Sequence, residues 1–215
     1  MSTYARGSRQ RGASMLFALM ALVLLGFAAV ALTRSVDTAT VVMGHLNAKQ
    51  DTIVAAAGGA EQAITWLQTN INNPIVNADS PANGYYASSR DGLDPTGLKT
   101  SAADKRPVIN WDGNCLGLDA AVYSTCDVLP VIGAAVNGNG IKWVITRLCD
   151  ATGPASGANL CLRPVGTSSG SSMDRGELTS GGRISGTVAS PYFRVIVRVE
   201  GPRNTVSYTE SLIHF

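Results

Sequence analysis

From Ala13 to Thr33 the chain runs 21 residues without a charge, most of them apolar, and Arg11 and Arg34 bracket the run. About 20 such residues cross a hydrocarbon core as a helix. The pattern does not stop there. No proline occurs between Thr33 and Asn70, and Val36, Val41 or Val42, Leu46, Ile53, Ile64 and Leu67 recur at intervals that drift around one helical face. Asn72-Asn73-Pro74 ends the segment. One helix is therefore expected from about Ala13 to Asn70, on the order of 85 Å long at 1.5 Å per residue. Gly26, Gly44 and the Gly58-Gly59 pair should weaken or bend it by about 1 kcal/mol each relative to alanine. Ile53, Ile64 and Trp66 or Leu67 are the side chains expected to pack it on a sheet.

Beyond Pro74 the pattern changes. Gly, Pro, Ser, Asn and Asp crowd the chain up to Pro107, which reads as loop with little regular structure. Val108–Trp111 reads as a short strand. Asn137-Gly138-Asn139-Gly140 is a turn signal between Val131–Val136 and Ile141–Leu148. In the second of these runs Ile141, Trp143, Ile145 and Arg147 alternate with Lys142, Val144, Thr146 and Leu148, and the first set is expected to face the core. Phe193, Val195, Val197 and Val199 alternate with Tyr192, Arg194, Ile196 and Arg198. Gly201-Pro202-Arg203-Asn204 turns the chain, and Thr205–Phe215 returns. These elements predict an α+β fold: a long N-terminal helix packed on an antiparallel β-sheet. About 150 residues lie outside the apolar segment and its continuation, enough for one modest globular domain.

Charge changes the picture little. The formal net charge is +2, but Arg6, Arg9 and Arg11 precede the apolar run; without them 14 basic residues face 15 acidic ones. The body carries no basic stripe with interleaved aromatics, so nucleic-acid binding is not inferred. The basic tip does orient the apolar segment. It holds that end in the cytoplasm and places the body on the far side of the membrane. Cys115, Cys126, Cys149 and Cys161 are spaced by 11, 23 and 12 positions, none with the two-residue gap of a zinc knuckle or redox motif. An even count downstream of an export segment implies disulfides in an oxidising compartment. Three pairings are possible. Cys115–Cys126 and Cys149–Cys161 are favoured, because each encloses a short loop rich in small residues.

Candidate chemistry is sparse. His45 sits on the long helix and His214 is penultimate. Gly166-Thr167-Ser168-Ser169-Gly170 matches G-x-S-x-G, but it lies in a Gly/Ser-rich stretch rather than between a strand and a helix. Asp91, Asp94, Asp104 and Asp112 occur in the long loop region without the spaced ligand pattern of a calcium loop. No catalytic residues, metal ligands or cofactor site are assigned, and function is expected to come from assembly and surface contacts. A cleavable secretory signal is the rival for the N-terminus, since Ala29-Val30-Ala31 fits small-x-small. The apolar run exceeds the usual 7–15-residue h-region, and helix-compatible sequence continues beyond it.

The leader RQRG followed by Ala13-Ser14-Met15-Leu16-Phe17 resembles a class III prepilin signal. The resemblance implies cleavage by prepilin peptidase after Gly12, with Ala13 as the N-methylated mature start. Most pilins carry glutamate at the fifth mature position, where the carboxylate meets a neighbour's N-terminal amine; here Phe17 stands instead. A buried amine without that partner is costly, which fits a minor subunit at or near a tip. RQRGASMLFALMALVLLGFAAVAL, then DTIVAAAGGAEQAITWLQ with Ala57, Ala60, Glu61, Ala63 and Leu67, is similar to the PilX-like minor pilins. So is the closing YFRVIVRVEGPRNTVSYTESLIHF. The resemblance covers residues 9–70 and 192–215. It implies a type IV pilin-like organisation: leader 1–12, transmembrane and filament-core helix 13–33, amphipathic continuation 34–73 and a globular α+β domain 74–215. It also implies a role in pilus assembly and adhesion, with other minor pilins, the major pilin and a tip adhesin as partners. The protein would sit in the inner membrane, its C-terminal domain periplasmic, and then in an extracellular pilus. A type II secretion pseudopilin and a single-pass or secreted periplasmic domain are the alternatives.

Overall fold

The computed structural model describes residues 13–155, 159–163 and 190–215. It divides into two compact units, Met1–Asn47 and Ala48–Phe215. Helix α1 spans Ala13–Asn70, 58 residues. None of its glycines interrupts it. Its end follows from local chemistry: Asn73 N–H donates to Asn70 O, the Asn73 side chain accepts from Ile75 N–H, and Pro74 opens a 3-10 turn, Pro74–Asn77. In the first unit the apolar side chains from Met15 to Leu46 are between 51% and 72% exposed.

In the second unit the helix buries the expected Leu67 and packs Trp66 against the core, but Ile53 does not take part. Thr52, Ala55, Ala56, Ala63 and Leu67 are buried, whereas Ile53 is 51% exposed and Ile64 and Trp66 are half-buried. The reason is close approach. A Cβ on Gly59 would lie 2.7 Å from both Ile141 Cγ2 and Val197 Cγ1. Small side chains let the helix backbone rest on the sheet, and Ile53 falls outside that line.

Among the described residues the sheet has five strands: β1 Tyr85–Tyr86, β2 Val131–Val136, β3 Asn139–Arg147, β4 Phe193–Glu200 and β5 Val206–Ile213. Strands β2 to β5 form an antiparallel meander, with β3 paired to β4 from Gly140↔Glu200 to Arg147↔Phe193. The β2–β3 turn is Asn137-Gly138, with φ of 52° and 78°, the left-handed pair that this dipeptide supplies. The sheet is mixed, however, not purely antiparallel. β1 runs parallel to β3, Tyr85 opposite Ile145. It shares one edge of β3 with β2, because β4 occupies the other. The stretch read as irregular up to Pro107 thus contains a strand. Two residues are too few to show alternation.

Both sheet faces are covered. Ile141, Trp143, Ile145, Phe193, Val195, Val197 and Val199 pack under the helix. On the opposite face Val144 and Ile196 meet Tyr86, Leu93, Ile109, Trp111 and Val128. This second core was not anticipated. Val108–Trp111 is not a strand; Val108 and Ile109 make single bridges to Asp94 and Val128 and are fully buried. Cys115–Cys126 and Cys149–Cys161 are both disulfide-bonded, with Cα atoms 5.9 and 3.9 Å apart.

Candidate functional site

Among the residues singled out from the sequence, Gly12 lies outside the described residues and Ala13 is the first residue of α1. Phe17 is 70% exposed, and the first acidic residue of the helix is Asp37. The segment is long and apolar enough to cross a membrane. Three hydroxyls of this part of the helix bond to its own backbone: those of Thr33, Thr38 and Thr40 donate to Val30 O, Arg34 O and Asp37 O at 2.8–2.9 Å. That is how a hydroxyl is accommodated where water is scarce.

In the second unit the polar residues mostly serve the fold. Arg147 sits on the core-facing register of β3 and is 1% exposed. Its Nε donates to Ala87 O at 3.0 Å, Nη1 to Val76 O at 2.9 Å and Nη2 to Gly153 O at 2.6 Å. One guanidinium thus joins the turn after the helix, the segment after β1 and the loop closed by Cys149–Cys161. Burial holds its pKa below the ordinary value. The signal for it was present in the sequence: a charge where alternation demands an apolar residue.

The four aspartates do not converge. Asp94 is buried, and its carboxylate accepts from the Thr96 N–H and Oγ1, the Lys99 N–H and the Thr100 N–H at 2.6–3.1 Å. Burial alone would raise its pKa; these donors outweigh that and hold it below the usual carboxylate range. Asp104 pairs with Arg106 at 2.8 Å. Asp112 bonds Lys142 and accepts from Arg198 Nη1 at 2.9 Å, and Glu200 bonds the same two cations. Asp91 is exposed. Among the described residues no group of three or more His, Cys, Asp or Glu could hold a metal ion. His214 packs edge-on against Tyr192, ring centroids 5.0 Å apart, and His45 is exposed. The G-x-S-x-G stretch, 166–170, lies outside the described residues.

Two features had no sequence signal. Gln62 reaches from the helix to β2, donating to Ala134 O at 3.0 Å and accepting from Ala134 N–H at 2.7 Å. At the other end of the packed helix, Thr52 and Ser207 hydroxyls meet at 2.6 Å, Asn139 donates to Asp51 at 2.7 Å and Lys49 donates to Val206 O at 3.0 Å. The site best supported by geometry is the acid-free apolar part of α1. Comparison with models of known protein families, with characterised proteins and with solved structures gave no match.

Proposed function

We propose that this chain is a minor pilin of the type IV pilus, of the PilX-like kind, and a structural subunit rather than an enzyme. The observation that carries the reading is α1. Its first unit is apolar, exposed and without an acid up to Asp37, and the same helix supplies the small-residue face that packs on the sheet. A discarded secretion signal has no reason to continue as the spine of a folded domain.

On this reading prepilin peptidase removes the leader after Gly12 and methylates Ala13. The segment 13–33 rests in the inner membrane and then enters the filament core, where helix packing replaces lipid contacts. Polymerisation then costs little net free energy and stays reversible. Phe17 brings no carboxylate to a neighbour's amine, which suits a subunit at or near a tip beside other minor pilins, the major pilin and an adhesin. Two disulfides fit a domain that works outside the reducing cytoplasm.

Intact-mass and N-terminal fragment spectra of the chain purified from its own cells test the proposal. A methylated Ala13 is expected. A start at Leu32, directly after Ala31, would make it a secreted protein. An unprocessed Met1 would make it a simple anchor.

A further inference from the structure

The two edges of the sheet are unequal. The pairings fix which main-chain groups point outward. Leu148 N–H donates to Tyr192 O and Gly201 N–H donates to Thr205 O. With the registers Arg147↔Phe193 and Glu200↔Val206, these bonds make the odd residues of β4 exchange hydrogen bonds with β5 and the even ones with β3. On the β2 edge the outward residues are then Ile132 and Ala134. Ala134 is already bonded through both main-chain groups to Gln62. Pro130 has no N–H to offer, and the ladder is irregular between Gly133 and Val136. That edge is closed to a further strand.

On β5 the outward residues are Val206, Tyr208, Glu210 and Leu212. Lys49 takes the Val206 carbonyl. The N–H and C=O of Tyr208, Glu210 and Leu212 have no partner among the described residues, a run of three donor–acceptor pairs on alternate residues. None of the usual blocks is present in Val206–Ile213: no proline, no lysine and no bulge. Its one charge, Glu210, is held by Arg194 through two hydrogen bonds of 2.8 Å. A cleft of about 420 Å³ runs beside this edge, floored by Leu93, Ile196 and Tyr208 and lined by Lys99 and Arg106. Both acids that line it are engaged, Asp94 by main-chain donors and Glu210 by Arg194, while among the described residues Lys99 has no acid partner and Arg106 has only the exposed Asp104. The cleft therefore favours a negative side chain.

We propose that β5 is an acceptor edge: an extended segment of a partner polypeptide, bearing an acidic side chain, adds to it as a sixth strand. Main-chain bonds to Tyr208, Glu210 and Leu212 supply the pairing. Alternate side chains of the incoming strand enter the cleft, where Lys99 and Arg106 receive the acid. The inference rests on the sheet alone and stands apart from the pilus reading, which the mature N-terminus tests.

The test is residue-resolved amide hydrogen exchange on the full chain in detergent micelles. The probe is a synthetic octapeptide of alternating threonine and valine with one central aspartate. Without peptide, Tyr208, Glu210 and Leu212 should exchange freely while Ser207, Thr209 and Ser211 are protected. Saturating peptide should slow the first three by about tenfold or more. A lysine-for-aspartate peptide should bind about threefold more weakly, the size of one exposed ion pair. N-methylation of the peptide's pairing amides should abolish the effect, as should Leu212→Pro, which removes an outward donor and no β4–β5 bond; Leu212→Ala should retain it. Several results would overturn the assignment. They are no slowing, equal binding of the lysine or N-methylated peptide, and protection of the three amides in the dilute chain by its own residues. Peptide-independent protection that rises with protein concentration would assign the edge to a second copy instead.

Discussion

Replacing Arg147 by methionine removes the three short donors that join three segments of the second unit, and its cost can be worked from the structure. Hydrogen bonds from a charged donor contribute about 1.5–3 kcal/mol each, so the three together give about 5–9 kcal/mol. Part of this survives, because Val76 O still accepts from the Tyr85 hydroxyl at 2.8 Å. Part is offset, because a buried cation with no carboxylate in contact among the described residues costs several kcal/mol to desolvate, and methionine does not incur that cost. The carbonyls of Ala87 and Gly153 are left without their partner, at about 1–3 kcal/mol each. The balance is a loss of about 2–4 kcal/mol, or a fall in Tm of about 5–15 °C for a unit of this size. Thermal unfolding of the full chain in micelles, disulfides intact, followed by near-ultraviolet circular dichroism, reads it through Trp66, Trp143 and Tyr85, which pack together. Arg147→Lys should lose at least as much as Arg147→Met, since it keeps the desolvated charge and cannot reproduce the fork. A change below about 0.5 kcal/mol in the methionine variant would refute the reasoning. So would full stability in the lysine variant, which would make charge, not geometry, the operative property.

Gly59→Ala should destabilise by about 1 kcal/mol, because overpacking against Ile141 and Val197 at about 1–3 kcal/mol exceeds the helix-propensity gain of about 1. Gly58→Ala, whose Cβ would meet only the Val136 side chain, at 3.0 Å, should change stability little, and urea titration of the two variants reads the difference. Asp94 titrates lower when folded than when unfolded, so its contribution is complete above the unfolded pKa of about 4 and is lost as pH falls below it. Asp94→Asn should flatten that acid limb of the stability–pH curve, and an unchanged limb would remove the argument. On the proposed pilin reading, Phe17→Glu should alter pilus number or the protein's position along the filament, counted by immunogold microscopy. Indifference on both counts would leave the tip placement without support.

Much of this fold was legible because its strongest elements obey one period each. The absence of proline up to Asn70 and the Asn72-Asn73-Pro74 stop placed the continuation and the C-terminal end of α1, since nothing before that stop opposes the helical hydrogen bonds. Asn137-Gly138 placed the β2–β3 hairpin, because few other dipeptides take two left-handed residues at so little cost. The short loops between cysteines anticipated both disulfides. What was missed has a common cause. Tyr85–Tyr86 is a strand only because β3 offers an edge, so its signal lies 60 residues away. Leu93, Ile109, Trp111 and Val128 follow no period, because the backbone that carries them is irregular. Their burial is dictated by Val144 and Ile196 on the sheet face they cover.

The buried face of α1 shows why ranking by hydrophobicity misleads at a helix–sheet contact. Ile53 buries less than Ala55, Ala56 or Ala63 because distance, not side-chain size, limits this interface. The helix comes close enough that a Cβ at Gly59 would overlap two strands at once. That proximity also brings Gln62 within reach of Ala134 and Lys49 within reach of Val206 O. The closeness that small residues permit is therefore what occupies main-chain groups along the β2 edge. On β5 the one main-chain group that the same helix occupies among the described residues is the Val206 carbonyl, at one end of the strand. Among the described residues the row from Tyr208 to Leu212 stays open for the same reason that the other edge is shut: the helix bonds along one and not along the other. Enlarging Gly59 should therefore do more than cost stability. By lifting the helix it should free Ala134 from Gln62, and the exchange rate of the Ala134 amide is the quantity that would reveal it.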